Sequence, residues 1–205
     1  MLFAKKERFT VGEVCVKKEL RGENGETLVK LNLRAPEIKS GDRREPLLRH
    51  AAPYYAQLLP ALERFAETDL LAAAKTALPR SPETFLPFGV CMSWEQTYIS
   101  QYNVSFYTEV SVTDGTNAEK TRRTQIWDRK TGQRRVFYDF FLPGADLYIS
   151  RLISGSESMR RTDRELFVLR PGGAEFFRRE NGGYSAFAVP FKQMEAEGLL
   201  RTGEI

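Results

Sequence analysis

The sequence runs to 205 residues, with 31 lysines and arginines against 27 aspartates and glutamates, a net charge of +4, one histidine and two cysteines. That length suits one domain, and 41% apolar residues with 12% aromatics exclude wholesale disorder. A lone histidine and two distant cysteines exclude most zinc sites, histidine-based nucleophilic catalysis and dithiol redox chemistry, and no run approaches the ~18 apolar residues of a membrane span.

Phe9 to Leu20 reads as a strand rich in valine, its alternation interrupted at Gly12 and Glu13, which predicts a bulge. Gly22-Glu23-Asn24-Gly25 signals a hairpin, because Asn-Gly tolerates the positive φ of tight turns. The return strand sets Thr27, Val29, Leu31 and Leu33 on one face and Lys30, Asn32 and Arg34 on the other. Residues 36–52, rich in proline, glycine and charge, read as a connecting loop. Pro53 then opens a helix whose stripe runs through Tyr54, Leu58, Leu62, Phe65, Leu70 and Ala73, with a kink or restart at Pro60 and an end at Leu78-Pro79.

The second half is mostly sheet. Tyr102, Val104, Phe106, Thr108, Val110 and Val112 alternate with Asn103, Ser105, Tyr107, Glu109 and Ser111, which predicts a strand with one core face and one partly wet face. Tyr102, Phe106 and Val110 belong to the expected core, against Leu58, Leu62 and Phe65. A turn at Asp114-Gly115 leads into a polar strand, Glu119 to Arg129, which Lys130-Thr131-Gly132-Gln133 folds back onto Arg134 to Tyr138. A short helix is expected from Ala145 to Ser154. A hairpin follows around Pro171-Gly172-Gly173, with glycine at the positive-φ position of a type II turn, then a strand from Tyr184 to Val189 and a terminal helix after Pro190. Segregated strands and helices argue α+β.

Arginine supplies 21 of the 31 cations and lysine 10. Guanidinium grips carboxylate or phosphate through two hydrogen bonds, so acidic partners enter consideration. The densest basic stretch, Lys120 to Arg135, carries Trp127, and we single out Arg122, Arg123, Trp127 and Arg129 as a candidate surface for an acidic ligand. Strand parity places Arg123, Trp127 and Arg129 on one face and Arg122 on the other. Arginine with aromatics on a sheet can also grip single-stranded nucleic acid, whereas charge that discourages strand pairing at an edge is the plainer account. Nucleic acid is therefore not the expected partner. Glu109, Asp114, Asp128 and Asp139 sit near strand ends, as a two-carboxylate hydrolase would need, yet turns use the same acids. His50 lies in a charged loop. No P-loop, dinucleotide fingerprint or Gly-x-Ser-x-Gly elbow is present. No cofactor and no metal is expected. Cys15 and Cys91 read as free, buried thiols, with a disulfide between them as the alternative. Met1 to Arg8 turns charged before an apolar signal core could form. The expectation is a cytoplasmic location as written, or an extracytoplasmic one if a leader has been removed.

Asp128-Arg129-Lys130-Thr131-Gly132, then Asp139-Phe140-Phe141 and a short helix, resembles the Asp-x-x-Thr-Gly and Asp-x-Phe stretch of the RsiV C-terminal-like domain. That domain of unknown function also occurs beside peptidoglycan deacetylases. Phe167 to Gly173 is similar to the strand and turn near its end, and Phe187-Ala188-Val189-Pro190-Phe191 to its closing strand. The resemblance implies an α+β module that binds or senses, with no agreed catalytic activity. The best-known member, an anti-sigma factor, captures lysozyme outside the cell. Where that family often carries a Gly-Gly-Ala-His-Gly-like loop, Asp114 to Ala118 contains no histidine. Common lysozymes are basic, as this chain is, and like charges slow and weaken encounter. Lysozyme binding is therefore not expected.

The resulting expectation is one α+β domain over residues 1–205, with an N-terminal hairpin and helix (7–78) and an RsiV-like sheet portion (90–200). Its mainly antiparallel, twisted sheet carries one long kinked helix and short C-terminal helices. Its function is non-catalytic binding or sensing of an unknown protein or acidic ligand. A hydrolase with surface carboxylates, or a weak nucleic-acid binder through the arginine-rich hairpin, is the alternative.

Overall fold

The computed structural model describes residues 9–80, 82–154, 164–201 and 203. Strands β1 (Thr10–Arg21) and β2 (Thr27–Lys39) form a hairpin. Helix α1 (Leu47–Phe65) follows and passes through a π-helical turn, Ala66–Leu70, into α2 (Leu71–Ala77) and a 3₁₀ turn at Leu78–Arg80. Three long strands come next, β3 (Phe88–Ile99), β4 (Asn103–Thr113) and β5 (Ala118–Asp128), then the two-residue β6 (Arg134–Arg135). Helix α3 (Ala145–Ser154) precedes β7 (Phe167–Arg170), β8 (Gly173–Glu180) and β9 (Gly183–Pro190), and α4 (Phe191–Ala196) closes the chain. The larger sheet has the order β1-β2-β3-β4-β5-β6 and the smaller one β7-β8-β9. The fold is α+β and mostly antiparallel, and β2 and β3 pair in parallel, joined through the helices.

The chain divides into two compact units. Of the described residues, the first comprises those up to Trp94 together with Glu109–Thr121, the second Glu95–Thr108 and those from Arg122 on. Strands β3, β4 and β5 each contribute residues to both.

In the first unit, Val29, Leu31, Leu33 and Ala35 of β2 and Val90 and Met92 of β3 are buried against Leu59, Ala66, Leu70 and Ala74 of the helical segment. Leu58, Leu62, Phe65, Val110 and Val112 pack onto the same cluster, as their spacing predicts. Each fully buried aliphatic side chain there contributes about 1.5–3 kcal/mol. Three expectations change. Register is unbroken across Gly12 and Glu13, and the irregularity falls at Leu20/Arg21 beside the turn. Residues 36–52 are not one loop, because β2 continues to Lys39 and α1 begins at Leu47. Pro36 is tolerated inside a strand because the ladder with β3 ends at Leu33↔Met92, so no β3 acceptor awaits its missing N–H. Pro46 stands at the helix entrance, while Pro53 and Pro60 sit on exposed faces of α1, where water can satisfy the carbonyls they free. The helical irregularity lies at Ala66–Leu70, beyond both prolines.

In the second unit, Phe137, Phe140, Phe141, Phe167 and Phe176 form an aromatic core with Ile126, Ile149, Leu169 and Met194. Ring centroids of Phe137 and Phe141 lie 4.7 Å apart, and those of Phe167 and Phe176 5.4 Å apart. The β7–β8 turn holds Gly172 at φ 80°, the conformation that its type II sequence anticipates. The polar face of β4 is dry only at its start, where Asn103 and Ser105 are as buried as Val104 and Phe106, and it becomes half-exposed from Tyr107 on. Ser105 Oγ accepts the Leu169 backbone N–H (3.1 Å) and the Thr97 hydroxyl (2.9 Å), so a serine stitches β7 to β4.

Candidate functional site

A groove of about 630 Å³ opens between α1 and the β1–β2 hairpin, within the first unit. Val14 and Val16 of β1, Ile38 of β2, and Leu48, Tyr55 and Leu59 of α1 line it. Its origin is steric. Ala35 on the sheet and Ala52 and Ala56 on the helix, all along the groove, place methyl groups where larger residues would close the helix onto the strands. Glu37 and Glu63, both half-buried, add two carboxylates to an otherwise apolar wall. The volume lies within the ~300–1,000 Å³ of small-molecule pockets, and those pockets share this pattern of apolar walls with few polar groups. Sequence reasoning missed the site. The Ala-Ala-Pro-Tyr-Tyr-Ala run at 51–56 was its only signal, and periodicity does not reveal a gap left by small residues.

The four residues singled out at the arginine-rich hairpin are not brought to one surface. Arg122 lies with its guanidinium carbon 4.5 Å from the Phe177 ring centroid, 4.7 Å from that of Tyr107 and 5.3 Å from that of Tyr184. Its backbone N–H donates to the Tyr184 hydroxyl (3.0 Å). Trp127 is buried, at 4% exposure. Arg129 donates to the Ser100 carbonyl through its guanidinium and to the Tyr102 carbonyl through its backbone (2.7 Å). Arg123 alone of the four is exposed. Parity separates only Arg122 from the other three; Trp127 is withdrawn because β5 is buried on both faces from Thr124 to Trp127.

Beside Arg122 runs a half-buried ionic network. Arg170 bonds Glu95 and pairs with Glu175 (2.8 Å). Burial alone would raise the Glu95 carboxyl, but hydrogen bonds from Arg170 and Tyr107 outweigh it and hold its pKa below the ordinary value. Burial, and then the bond to Glu95, push the Tyr107 hydroxyl up.

The carboxylates considered for hydrolysis are engaged elsewhere in the structure. Asp114 Oδ1 accepts the backbone N–H groups of Asn117 (2.7 Å) and Thr116 (2.9 Å) and the Thr116 hydroxyl (2.9 Å), which lowers its pKa to about 2. Asp128 Oδ1 caps the turn at Lys130 (2.7 Å) and Thr131 (2.9 Å). Asp139 Oδ2 accepts the Val136 N–H at 2.7 Å, and Glu109 pairs with Lys120 at 3.5 Å. His50 stands exposed on the first turns of α1 rather than in a loop. Among the described residues, no group of three or more His, Cys, Asp or Glu side chains could hold a metal ion.

Both cysteines are free, but they are exposed rather than buried. The reason is parity again. Cys15 lies on the face of β1 turned away from the helix, and Cys91, opposite Asn32, shares the helix-averted face of β3. The Cys15 thiol donates to Glu13 Oε1 (3.1 Å) and the Trp94 indole N–H to Glu13 Oε2 (3.0 Å). The thiol bond first, and then the indole bond, hold the Glu13 carboxyl below its usual range, and the same thiol bond pushes Cys15 up.

No family model matches the sequence, and no curated protein matches it. Solved structures share its architecture, two of them as follows. A member of the DUF3298 family from Bacteroides fragilis aligns with a TM-score of 0.68 at 11% identity, over 95% of this chain and 94% of that one. A DUF3298 family protein from Pseudomonas aeruginosa PAO1 gives a TM-score of 0.58 at 14% identity, over 95% of each chain. Likeness at this identity shows the fold, which is that of a domain of unknown function.

Proposed function

We propose that the chain is a non-catalytic binding or sensing module, related to the RsiV C-terminal-like domain, and that its ligand enters the groove between α1 and the β1–β2 hairpin. The groove carries this reading. It offers about 630 Å³ of apolar-walled space on regular secondary structure, which keeps a recognition surface in shape without a bound partner. The chemistry it suits is an apolar body with a basic group directed to Glu63, since Glu37 already pairs with Lys39 at 2.7 Å. What supports the resemblance is sequence alone, the Asp128–Gly132 and Asp139–Phe141 motifs and the closing Val189-Pro190-Phe191.

An acidic ligand at Arg122, Arg123, Trp127 and Arg129 is the weaker reading, because Trp127 is buried and Arg122 lies on aromatic rings. Titration with Nile red, a neutral apolar dye, tests the groove. The protein enhances dye fluorescence saturably, and Ala52→Trp, which fills the groove from the helix side, weakens binding at least about tenfold with an unchanged circular dichroism spectrum. Equal binding by the folded variant, or no saturable binding by the wild type, overturns the assignment.

A further inference from the structure

Strand β1 is the outer strand of the larger sheet, and among the described residues no strand pairs with its second edge. It is long, twelve residues, and Glu13, Val14, Cys15, Lys17 and Lys18 are all exposed. Such an edge is a template for another strand unless charge or shape forbids pairing. Its charges have a particular order. Glu13-Val14-Cys15-Val16-Lys17 reads as acid, valine, thiol, valine, base, and is self-complementary when turned end for end.

We propose that β1 pairs antiparallel with β1 of a second copy of this chain, in the register that sets Cys15 opposite Cys15 across a two-fold axis. In that register Glu13 faces Lys17 of the other copy twice, once on each side of the axis, and Val14 faces Val16 twice. Directly opposed residues of an antiparallel pair share a face and lie about 4.5–5.5 Å apart, so both ion pairs and both valine contacts form. Glu13 already accepts the Cys15 thiol and the Trp94 indole, and a carboxylate has further lone pairs to accept an ammonium.

Neighbouring registers with the same facial match oppose like charges or form no ion pair. Centring on Val16 opposes Glu13 to Glu19, and centring on Lys17 or Lys18 opposes a lysine to itself. Centring on Val14 leaves Lys17 opposite Val11 and Lys18 opposite Thr10. The axis stands perpendicular to the sheet, so Val14, 37% exposed at the groove, is covered on its open side by valines of the partner. A two-fold contact of this kind is closed, which limits assembly to a dimer. One strand pair buries little area, so the dimer forms in the micromolar range or weaker and needs concentrated protein to be seen.

Charge exchange tests the register. Residues 13 and 17 stand about 13 Å apart along one strand, so they cannot pair within a chain. Sedimentation velocity over a concentration series shows the wild type passing from monomer to dimer. Glu13→Lys and Lys17→Glu each raise the dimer dissociation constant at least about fivefold by creating two like-charge pairs. An equimolar mixture of the two variants recovers the dimer, since lysine at 13 then faces glutamate at 17. A maleimide cross-linker of short span captures the dimer in the wild type and in Cys91→Ser, and not in Cys15→Ser. Circular dichroism confirms that each variant is folded. If Glu13→Lys does not fold, for want of its bond to Trp94, Lys17→Glu and the cross-linking decide. A wild type that stays monomeric overturns the proposal, as does a dimer indifferent to Lys17→Glu or a mixture of folded variants that does not associate. The result is independent of dye binding, so failure of the groove assignment leaves it standing.

Discussion

Replacing Ser105 with alanine removes one oxygen from the second unit and leaves a buried strand short of an acceptor. The hydroxyl receives the Leu169 backbone N–H at 3.1 Å, and both residues are fully buried, so no water can take its place. An orphaned buried donor costs about 1–3 kcal/mol. Thr97 also loses its bond to the Ser105 hydroxyl but keeps the Ser105 carbonyl as acceptor at 3.2 Å, so it adds little. The expected loss is therefore about 1–3 kcal/mol, and at about 2–4 °C per kcal/mol for a chain of this length the melting temperature falls accordingly. Urea unfolding should show a lower midpoint with an unchanged m-value, and hydrogen exchange should show faster loss of protection at the Leu169 amide. Thr97→Val provides the comparison. It removes a donor and leaves Leu169 satisfied, so it costs less than Ser105→Ala. A Ser105→Ala variant within about 0.5 kcal/mol of wild type, the range of ordinary surface substitutions, would falsify the account. So would a Thr97→Val variant that is the less stable of the two.

Two further outcomes follow from the site geometry. Arg122→Ala strips a guanidinium from three aromatic rings and should destabilise the protein by about 0.5–2 kcal/mol in urea titration, with Arg122→Lys intermediate; an Arg122→Ala variant as stable as wild type removes the packing role. Asp114 has a folded pKa lowered to about 2, against about 3.9 for an unfolded chain. Its contribution is complete above the unfolded value and disappears as pH falls through the folded one. The gap in melting temperature between wild type and Asp114→Ala should therefore hold above pH ~4 and close towards pH ~2, and a gap independent of pH over that range contradicts the capping role.

Local signals translated well where one residue type settles the backbone. Gly172 at positive φ, the Asn24-Gly25 hairpin and the α3 span at Ala145–Ser154 were all legible. The strand at Asn103–Thr113 was legible too, because period two persists over its full length. Its second face was not. Asn103 and Ser105 look like solvent-facing residues, yet Arg135 bonds the first and β7, some sixty positions later, the second. The start of α1 was misplaced for a related reason. Proline at a first helical position is a sound rule, but three prolines, 46, 53 and 60, compete for it, and only tertiary burial of Leu47 and Ala51 selects the first. Of the candidate site, the arginines were visible as composition, while their direction depended on strand parity and on rings contributed by β4, β8 and β9. The groove arises from what alanine leaves unfilled, a property of two elements together.

The parallel pairing of β2 with β3 has a consequence in time. Joining Val29–Leu33 to Phe88–Met92 closes a loop of about 60 residues, an entropic cost of roughly 3–4 kcal/mol beyond a constant, whereas β1 and β2 meet across a short turn and α1 forms from contacts within itself. The hairpin and the helix are thus the early pieces, and the arrival of β3 beside β2 is the slow event. All the walls of the groove belong to β1, β2 and α1, so the groove can take shape while the rest of the sheet is still being assembled.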